Sequence, residues 1–362
     1  MALRIIQVGM AAWGTTWASI VQRSPETTLV ACVEPNHTAL TAVSTDPSIA
    51  LFASLEEALH TVEADAVLIT AADAAHVPLA LTALSAGKHV LLEKPFASTL
   101  AEAEHVVTAA ESAQRTLMIS QNYRFFPAPR TVAALVRGNV LGQIGSITID
   151  FRQNAAALLP PDHALFGMRQ PLLGEMAVHH FDLLRMILGD EATHISCHTW
   201  SPPWSALAGP AAAAATITCA NGTVINYRGS WASSAPSTHW AGVWRMECAG
   251  GEIAWTSRNG RDAGADLVIV RRYGEPARRV VLPKFRQWGR ESCLAAFVRA
   301  IRTRQQPECS GRDNLGTIAL MQSAIAAARS GQTVALPVTA INPLWLYNPA
   351  AWLNRMRANS IL

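Results

Sequence analysis

Between residues 4 and 120 the chain alternates short apolar runs with helix-forming stretches, and this rhythm restricts the fold more than any single residue does. The runs Arg4–Val8, Thr28–Val33, Ala66–Thr70, His89–Leu92 and Thr116–Ser120 are rich in β-branched and other apolar residues. They lack the alternation of a half-exposed strand, so they read as strands covered on both faces. Parallel neighbours of that kind need crossovers of a dozen or more residues, usually helices. The intervening segments supply them. A helix over about 15–23 stops at Ser24-Pro25, and one over about 76–85 closes at Gly87. Ser54-Leu-Glu-Glu57 and Thr99-Leu-Ala-Glu102 have the spacing of capping boxes and should open two more. The expected class is an α/β Rossmann domain with a doubly wound parallel sheet.

After Tyr123 the pattern changes. A helix over about 128–137, a strand over 146–152 and a helix from Gly174 to Leu188 come first. Strand-like runs then follow one another at 193–199, 213–220, 223–230, 242–248, 252–256, 266–272 and 278–282, with hairpin signals at Asn221-Gly222 and Gly250-Gly251. This is the signature of an antiparallel sheet in an α+β domain. Helices over about 289–303 and 312–329 close it. At 362 residues the chain exceeds what one core usually organises, and the expected division is 1–122, 123–336 and a Pro/Trp/Asn-rich tail at 337–362.

Composition excludes several classes of function. Half the residues are hydrophobic and 15% are charged, which argues against disorder. Net charge is +3 and the basic residues are scattered, so no nucleic-acid partner is expected. Arg271-Arg272 and Arg278-Arg279 read as a solvated strand edge. Six cysteines, none closer than 16 residues to another, give no CxxC and no metal spacing. Free thiols and a cytoplasmic location are expected. The uncharged stretch Thr199–Tyr227 is broken by Pro202, Pro203, Gly209 and Pro210, so no membrane span is expected.

Two segments carry candidate chemistry. Gly9-Met10-Ala11-Ala12-Trp13-Gly14 follows the first strand and opens a helix, close to the G-x-G-x-x-G dinucleotide turn but with Ala11 at the second glycine. Glu34 ends the next strand, 20 residues beyond Gly14, where a carboxylate accepts from ribose hydroxyls and repels a 2′-phosphate. NAD is therefore expected over NADP, although the same residues could form a plain strand–helix turn. Glu93-Lys94-Pro95 ends the strand His89–Leu92, at the sheet edge where ligands bind in open parallel sheets. A lysine there can polarise a substrate hydroxyl or carbonyl oxygen. Taken alone, a surface lysine before a turn proline is the simpler reading.

The segment Ala86-Gly87-Lys88-His89-Val90-Leu91-Leu92-Glu93-Lys94-Pro95-Phe96 resembles the signature of the glucose–fructose oxidoreductase / inositol dehydrogenase / rhizopine catabolism family. Asn122-Tyr123-Arg124-Phe125, the turn Gly138–Gly145 and Gly311-Arg312-Asp313 also resemble it, so the resemblance runs to about Leu336. It implies a Rossmann domain, a C-terminal α+β domain with a large open, mostly antiparallel sheet, and a homodimer or homotetramer. It implies NAD contacts from Gly9, Ala11, Ala12, Trp13, Gly14, Glu34, Ala71, His76, Glu93, Lys94 and Asn122. Thr70-Ala71-Ala72 departs from the family pattern near His76.

The stretch Gly174-Glu175-Met176-Ala177-Val178-His179-His180-Phe181-Asp182 resembles the family's D-x-G-x-H-x-x-D motif. On an α-helix Glu175 and His179 would share a face, with Asp182 nearby. The resemblance makes His179 the acid/base partner of Lys94, with Glu175 assisting; no metal is expected, since the chain supplies no other clustered ligands. His180 should be packed or near the cofactor. Glu175 and Ala177 depart from the family's Asp and Gly. Tyr123, Arg124, Arg152 and Trp231 are expected beside Lys94, Glu175 and His179 on the substrate side. The reading is an NAD-dependent oxidoreductase acting on a sugar, cyclitol or related polyol. An NAD-dependent glycoside hydrolase working through a keto-sugar, and a non-catalytic NAD-binding regulator, are the alternatives.

Overall fold

The computed structural model describes residues 1–36, 48–258 and 265–337. The described residues divide into two compact units, Met1–Asn122 with Gly289–Ile318, and Tyr123–Trp288 with the described residues from Ala319 on. The first unit opens with β1 (Leu3–Val8), α1 (Ala12–Arg23), β2 (Thr27–Val33), β3 (Ala50–Phe52), α2 (Leu55–Thr61), β4 (Ala66–Ile69), α3 (Asp73–Ser85), β5 (His89–Leu92), α4 (Leu100–Ser112) and β6 (Leu117–Ile119). The strands form a parallel sheet in the order β3-β2-β1-β4-β5-β6. β4 and β5 are buried along almost their whole length, as uninterrupted apolar runs require. The order reverses between β1 and β4, which opens a crevice at their carboxyl ends. Thr99 makes the full capping box of α4, whereas Ser54 caps α2 by accepting from the Glu57 N–H. β3 is a three-residue edge strand that apolar periodicity does not reveal.

The second unit holds α5 (Pro127–Arg137), β7 (Ile144–Arg152), the short α6 (Ala155–Leu158), a π-helical turn over Pro171–Ala177 and α7 (Val178–Leu188). The sheet strands β8 (Ala192–Trp200), β9 (Ala212–Cys219), β10 (Val224–Ser230), β11 (Val243–Cys248), β12 (Gly251–Thr256), β13 (Leu267–Arg272) and β14 (Arg278–Arg279) follow. With β15 (Val334–Ala335) they form a nine-stranded sheet, β14-β13-β12-β11-β7-β10-β9-β8-β15. Its pairs are antiparallel except for β7 and β10. Alternation along β7 buries Ile147, Ile149 and Phe151 and leaves Thr148, Asp150 and Arg152 on the opposite face.

Three elements differ from the expectation. The helix expected from Gly174 starts as a π turn at Pro171 and becomes α-helical only at Val178. The strand expected over 278–282 keeps two residues. Helix α8 (Gly289–Thr303) and the first residues of α9 (Gly311–Ser330) return to the first unit, although spacing alone assigns them to the second domain. There, Ile119 N–H bonds the Cys309 carbonyl and Met118 bridges Ser310, which covers the edge of β6. The tail expected at 337–362 lies outside the described residues from 338 onward. Among the described residues no helix is long and apolar enough to cross a membrane.

Candidate active site

In the first unit the glycine turn is shaped by contacts that exclude side chains. Gly9 has φ +88°, and a Cβ there would sit 2.5 Å from the Ala71 nitrogen. A Cβ on Gly14 would sit 2.2 Å from the Gly9 carbonyl oxygen. The turn after β1 therefore lies hard against the turn after β4. Thr70 Oγ1 donates to the Gly9 carbonyl at 2.6 Å, and Gln7 Nε2 donates to the Gly14 carbonyl at 2.7 Å. Ala11 is the exposed N-cap of α1, so its methyl group is accommodated outside the turn. Ala12 is the first helical residue. The first turn of α1 contains no acidic residue, so its N–H groups face no carboxylate of their own helix turn and suit an anion. Glu34 accepts from the Met10 N–H at 2.9 Å, which brings the carboxylate expected at the ribose to the glycine turn.

Glu93 is 6% exposed and gathers donors from across the unit. Its Oε1 accepts from Trp17 Nε1 at 2.7 Å, Ser120 Oγ at 3.1 Å and Arg290 Nε at 3.0 Å. Its Oε2 accepts from the Lys94 N–H at 3.2 Å. Burial alone would raise the carboxyl pKa. The Arg290 charge, the Trp17 hydrogen bond and the Lys94 charge outweigh it and hold Glu93 below the usual carboxylate range. Glu93 is thus the ionised anchor that fixes the start of the Lys94-Pro95 segment, and the Lys94 side chain is half-buried at its end.

His76, expected at the cofactor, is placed differently. Its ring is 1% exposed, with Nδ1 2.8 Å from the Pro95 carbonyl oxygen and Nε2 3.0 Å from that of Ala71. Both nitrogens are taken by backbone, so the side chain ties the turn after β4 to the segment after β5. Replacing His76 with alanine is expected to lower turnover roughly 10- to 100-fold by loosening Lys94, as small misplacements of catalytic groups do. NADH affinity should change less, and steady-state kinetics beside a binding titration reads the difference. Asn122 is 4% exposed, and its Oδ1 has no hydrogen-bond partner among the described residues. A buried acceptor of this kind is an expected feature of a ligand site.

In the second unit, His179 is 5% exposed and stacks on Tyr123 at 3.9 Å between centroids and 7° between planes. The Arg258 guanidinium carbon lies 3.9 Å from the centroid of the same Tyr123 ring. Asp266 accepts from the Arg258 N–H, from Ser257 Oγ and from Ala128 N–H in the first turn of α5. Burial raises the Asp266 pKa despite those bonds. Tyr123, expected to line the substrate side, is therefore a buried platform for the His179 imidazole.

Arg124, Trp231 and Arg152 also leave the substrate role expected of them. Arg124 is fully buried and forks onto both carboxylate oxygens of Asp182. Trp231 is 4% exposed, donates to the Pro171 carbonyl at 3.1 Å and packs edge-on against Phe151, pinning the π turn that precedes His179. Arg152 lies on the sheet face opposite Phe151 and pairs with Asp150 at 3.0 Å. His180 is packed, as expected, with Nδ1 3.2 Å from Tyr227 Oη and Nε2 3.0 Å from the Trp240 carbonyl oxygen. Burial pushes its pKa down to about 4, so it is neutral at pH 7. Glu175 sits half-buried in the π turn, so its phase toward His179 is not that of a regular α-helix.

Sequence reasoning missed Gln7, Trp17, Thr70, Ser120, Arg258 and Arg290. Gln7 carried a usable signal, since an amide inside the strand Leu-Arg-Ile-Ile-Gln-Val must find a partner when buried. Arg290 lies 197 residues from Glu93 and carried none.

Comparison with known proteins identifies the family and the fold. Residues 3–121 match the GFO/IDH/MocA model described as an oxidoreductase family with an NAD-binding Rossmann fold, and residues 130–251 match the GFO/IDH/MocA C-terminal domain. The chain is 27% identical over 299 residues to D-apiose dehydrogenase from Paraburkholderia graminis, covering 75% of this chain and 73% of that protein. It is 26% identical over 284 residues to 1,5-anhydro-D-fructose reductase from Ensifer adhaerens, covering 77% and 82% respectively. In fold it resembles an oxidoreductase from Agrobacterium radiobacter solved with NAD+, L-tartaric acid and magnesium. The TM-score is 0.81 at 19% identity, covering 92% of this chain and 98% of that one.

Proposed function

The chain belongs to the GFO/IDH/MocA oxidoreductase family, and on that premise we propose that it is an NAD-dependent dehydrogenase or reductase of a sugar, cyclitol or related polyol. The observation that carries the proposal is Lys94. It follows a buried, ionised Glu93 at the carboxyl end of β5, in the unit that also holds the closely packed Gly9 and Gly14 turn. The named substrates of the apiose and anhydrofructose relatives support the substrate class.

The residues present fit a dinucleotide. Gly9 and Gly14 leave no room for side chains, the first turn of α1 offers N–H groups to a diphosphate, and Asn122 Oδ1 is a buried acceptor awaiting a donor. Gly9, Ala11, Ala12, Trp13 and Gly14 would hold the diphosphate, Glu34 the adenosine ribose, and Ala71 and Asn122 the nicotinamide half. A bound nicotinamide would supply hydride exchange with a substrate carbinol or carbonyl carbon. Lys94 binds the substrate oxygen through its ammonium group and stabilises the charge that develops there. His179 exchanges the hydroxyl proton, a task suited to an imidazole near neutral pH. Tyr123 holds the plane of that imidazole, and Glu175 binds a second hydroxyl.

NAD is the proposed cofactor form because the Glu34 carboxylate would repel a 2′-phosphate. Glu34→Gln keeps an acceptor for the Met10 N–H and removes the charge. It is expected to narrow the NAD-over-NADP preference about tenfold, or about 1.4 kcal/mol. Comparing kcat/KM for the two cofactors reads this, and an unchanged ratio would remove Glu34 from the selection.

Incubating the protein with NAD and a panel of aldoses, cyclitols and polyols, while following NADH absorbance, tests the main proposal. NADH formation with at least one of them is expected. No formation, together with no NADH consumption by the matching keto compounds, would overturn it. Cleavage of a glycoside without net NADH would select the hydrolase alternative. Assembly as a homodimer or homotetramer and a cytoplasmic location are part of the same proposal. Six cysteines without a disulfide support the location.

A further inference from the structure

Arg290 is held in a way that a structural counter-ion is not. Its side chain is 13% exposed, on the first turn of α8 where the chain returns to the first unit. Only Nε meets Glu93, at 3.0 Å. Two other well-buried arginine–carboxylate pairs among the described residues are built differently. Arg124 and Arg185 each use Nε and a terminal nitrogen to fork onto both oxygens of Asp182 and Glu191. Arg290 instead shares Glu93 Oε1 with Trp17 and Ser120, while Oε2 accepts from the Lys94 N–H. Its two terminal nitrogens make no hydrogen bond among the described residues. They are nonetheless held in place, since the guanidinium carbon lies 4.1 Å from the centroid of the Trp13 ring. Trp13 is 53% exposed and belongs to the glycine turn, in the first helical turn of α1. Glu93 and the indole thus fix a cation against a residue of the first turn of α1.

We infer that Arg290 is a cofactor-binding residue that hydrogen-bonds the diphosphate of the dinucleotide, adding a charge-assisted donor pair to the glycine turn. A planar guanidinium suits two phosphate oxygens better than a lysine does. Where Ala11 stands for the second glycine, this donor pair adds diphosphate affinity that does not depend on close backbone approach. The same residue joins two parts of the site: the carboxylate that fixes Lys94 is also the one that aims the diphosphate donor. The inference rests on the reading of the first unit as an NAD-binding domain.

The test titrates NADH and ADP-ribose by calorimetry, and adenosine by ligand-observed NMR, against wild type, Arg290→Met, Arg290→Lys, Glu93→Gln and the double variant Glu93→Gln/Arg290→Met. Arg290→Met is expected to weaken NADH and ADP-ribose at least tenfold and leave adenosine within twofold. Arg290→Lys should recover part of the loss. If Arg290→Met folds poorly because Glu93 is left uncompensated, the comparison of Glu93→Gln with the double variant still isolates the arginine, and the same tenfold loss is expected there. ADP-ribose affinity unchanged in both comparisons, or adenosine weakened as much as ADP-ribose, would overturn the inference. A wild-type chain that binds neither NADH nor ADP-ribose would overturn the NAD-binding reading on which it rests.

Discussion

Replacing Lys94 with alanine should lower turnover by roughly 10³-fold or more while NADH still binds within about tenfold of wild type, a difference of about 1.4 kcal/mol. The two effects separate because the elements around Lys94 do different work. Glu93 holds the Lys94 backbone N–H, and His76 holds the Pro95 carbonyl, so removing the side chain leaves the segment in place. The glycine turn is braced separately, by Gln7 on the Gly14 carbonyl and Thr70 on the Gly9 carbonyl. What disappears is the ammonium group that stabilises charge on the substrate oxygen. Lys94→Arg should not restore the rate, because a planar fork cannot replace a compact point charge at one oxygen. Single-turnover hydride transfer, followed beside an NADH titration, separates chemistry from binding. Turnover retained by the alanine variant would sink the role given to Lys94.

The parts of this site that sequence reveals are those governed by local rules. Gly9 and Gly14 are legible because a positive φ and a backbone approach admit no Cβ, and that requirement is written in the residue itself. The parallel sheet is legible because strands buried on both faces must be continuously apolar. β3 is too short for any pattern to register. Tyr123 and Arg124 follow Asn122 in sequence and share its 3₁₀ turn, yet they enter the packing as a stacking platform and as an ion pair. Arg152 neighbours Phe151, but strand alternation sends the two to opposite faces. The π turn over Pro171–Ala177 inserts an irregular step that hydrophobic periodicity does not record, so Glu175 and His179 lose the simple helical phase. Arg290 reaches Glu93 only through the return of α8 to the first unit, and no spacing rule spans that distance.

Asp182→Ala is expected to destabilise the second unit by about 3–5 kcal/mol, because it leaves the Arg124 guanidinium buried without its carboxylate. For a unit of this size that corresponds to a fall in Tm of roughly 10 °C. The side chains are 0% and 1% exposed, so water cannot compensate for the lost partner. The effect reaches the chemistry through α7, which carries His179 one turn before Asp182. It also reaches through Arg124, the direct neighbour of the Tyr123 platform. The double variant Arg124→Met/Asp182→Leu separates the cost of an orphaned charge from the worth of the pair itself. Well-packed apolar replacements of buried ion pairs are often neutral or stabilising, so most of the lost Tm should return. Activity should remain lower in the double variant than in wild type, since recovered packing energy does not restore the fork that fixes the angle of α7. Differential scanning calorimetry on Asp182→Ala and the double variant reads the stability terms, and kcat under saturating cofactor reads the positional one. Asp182→Ala melting within about 2 °C of wild type would show that Arg124 finds another acceptor, and would remove the pair from the account of how His179 is held.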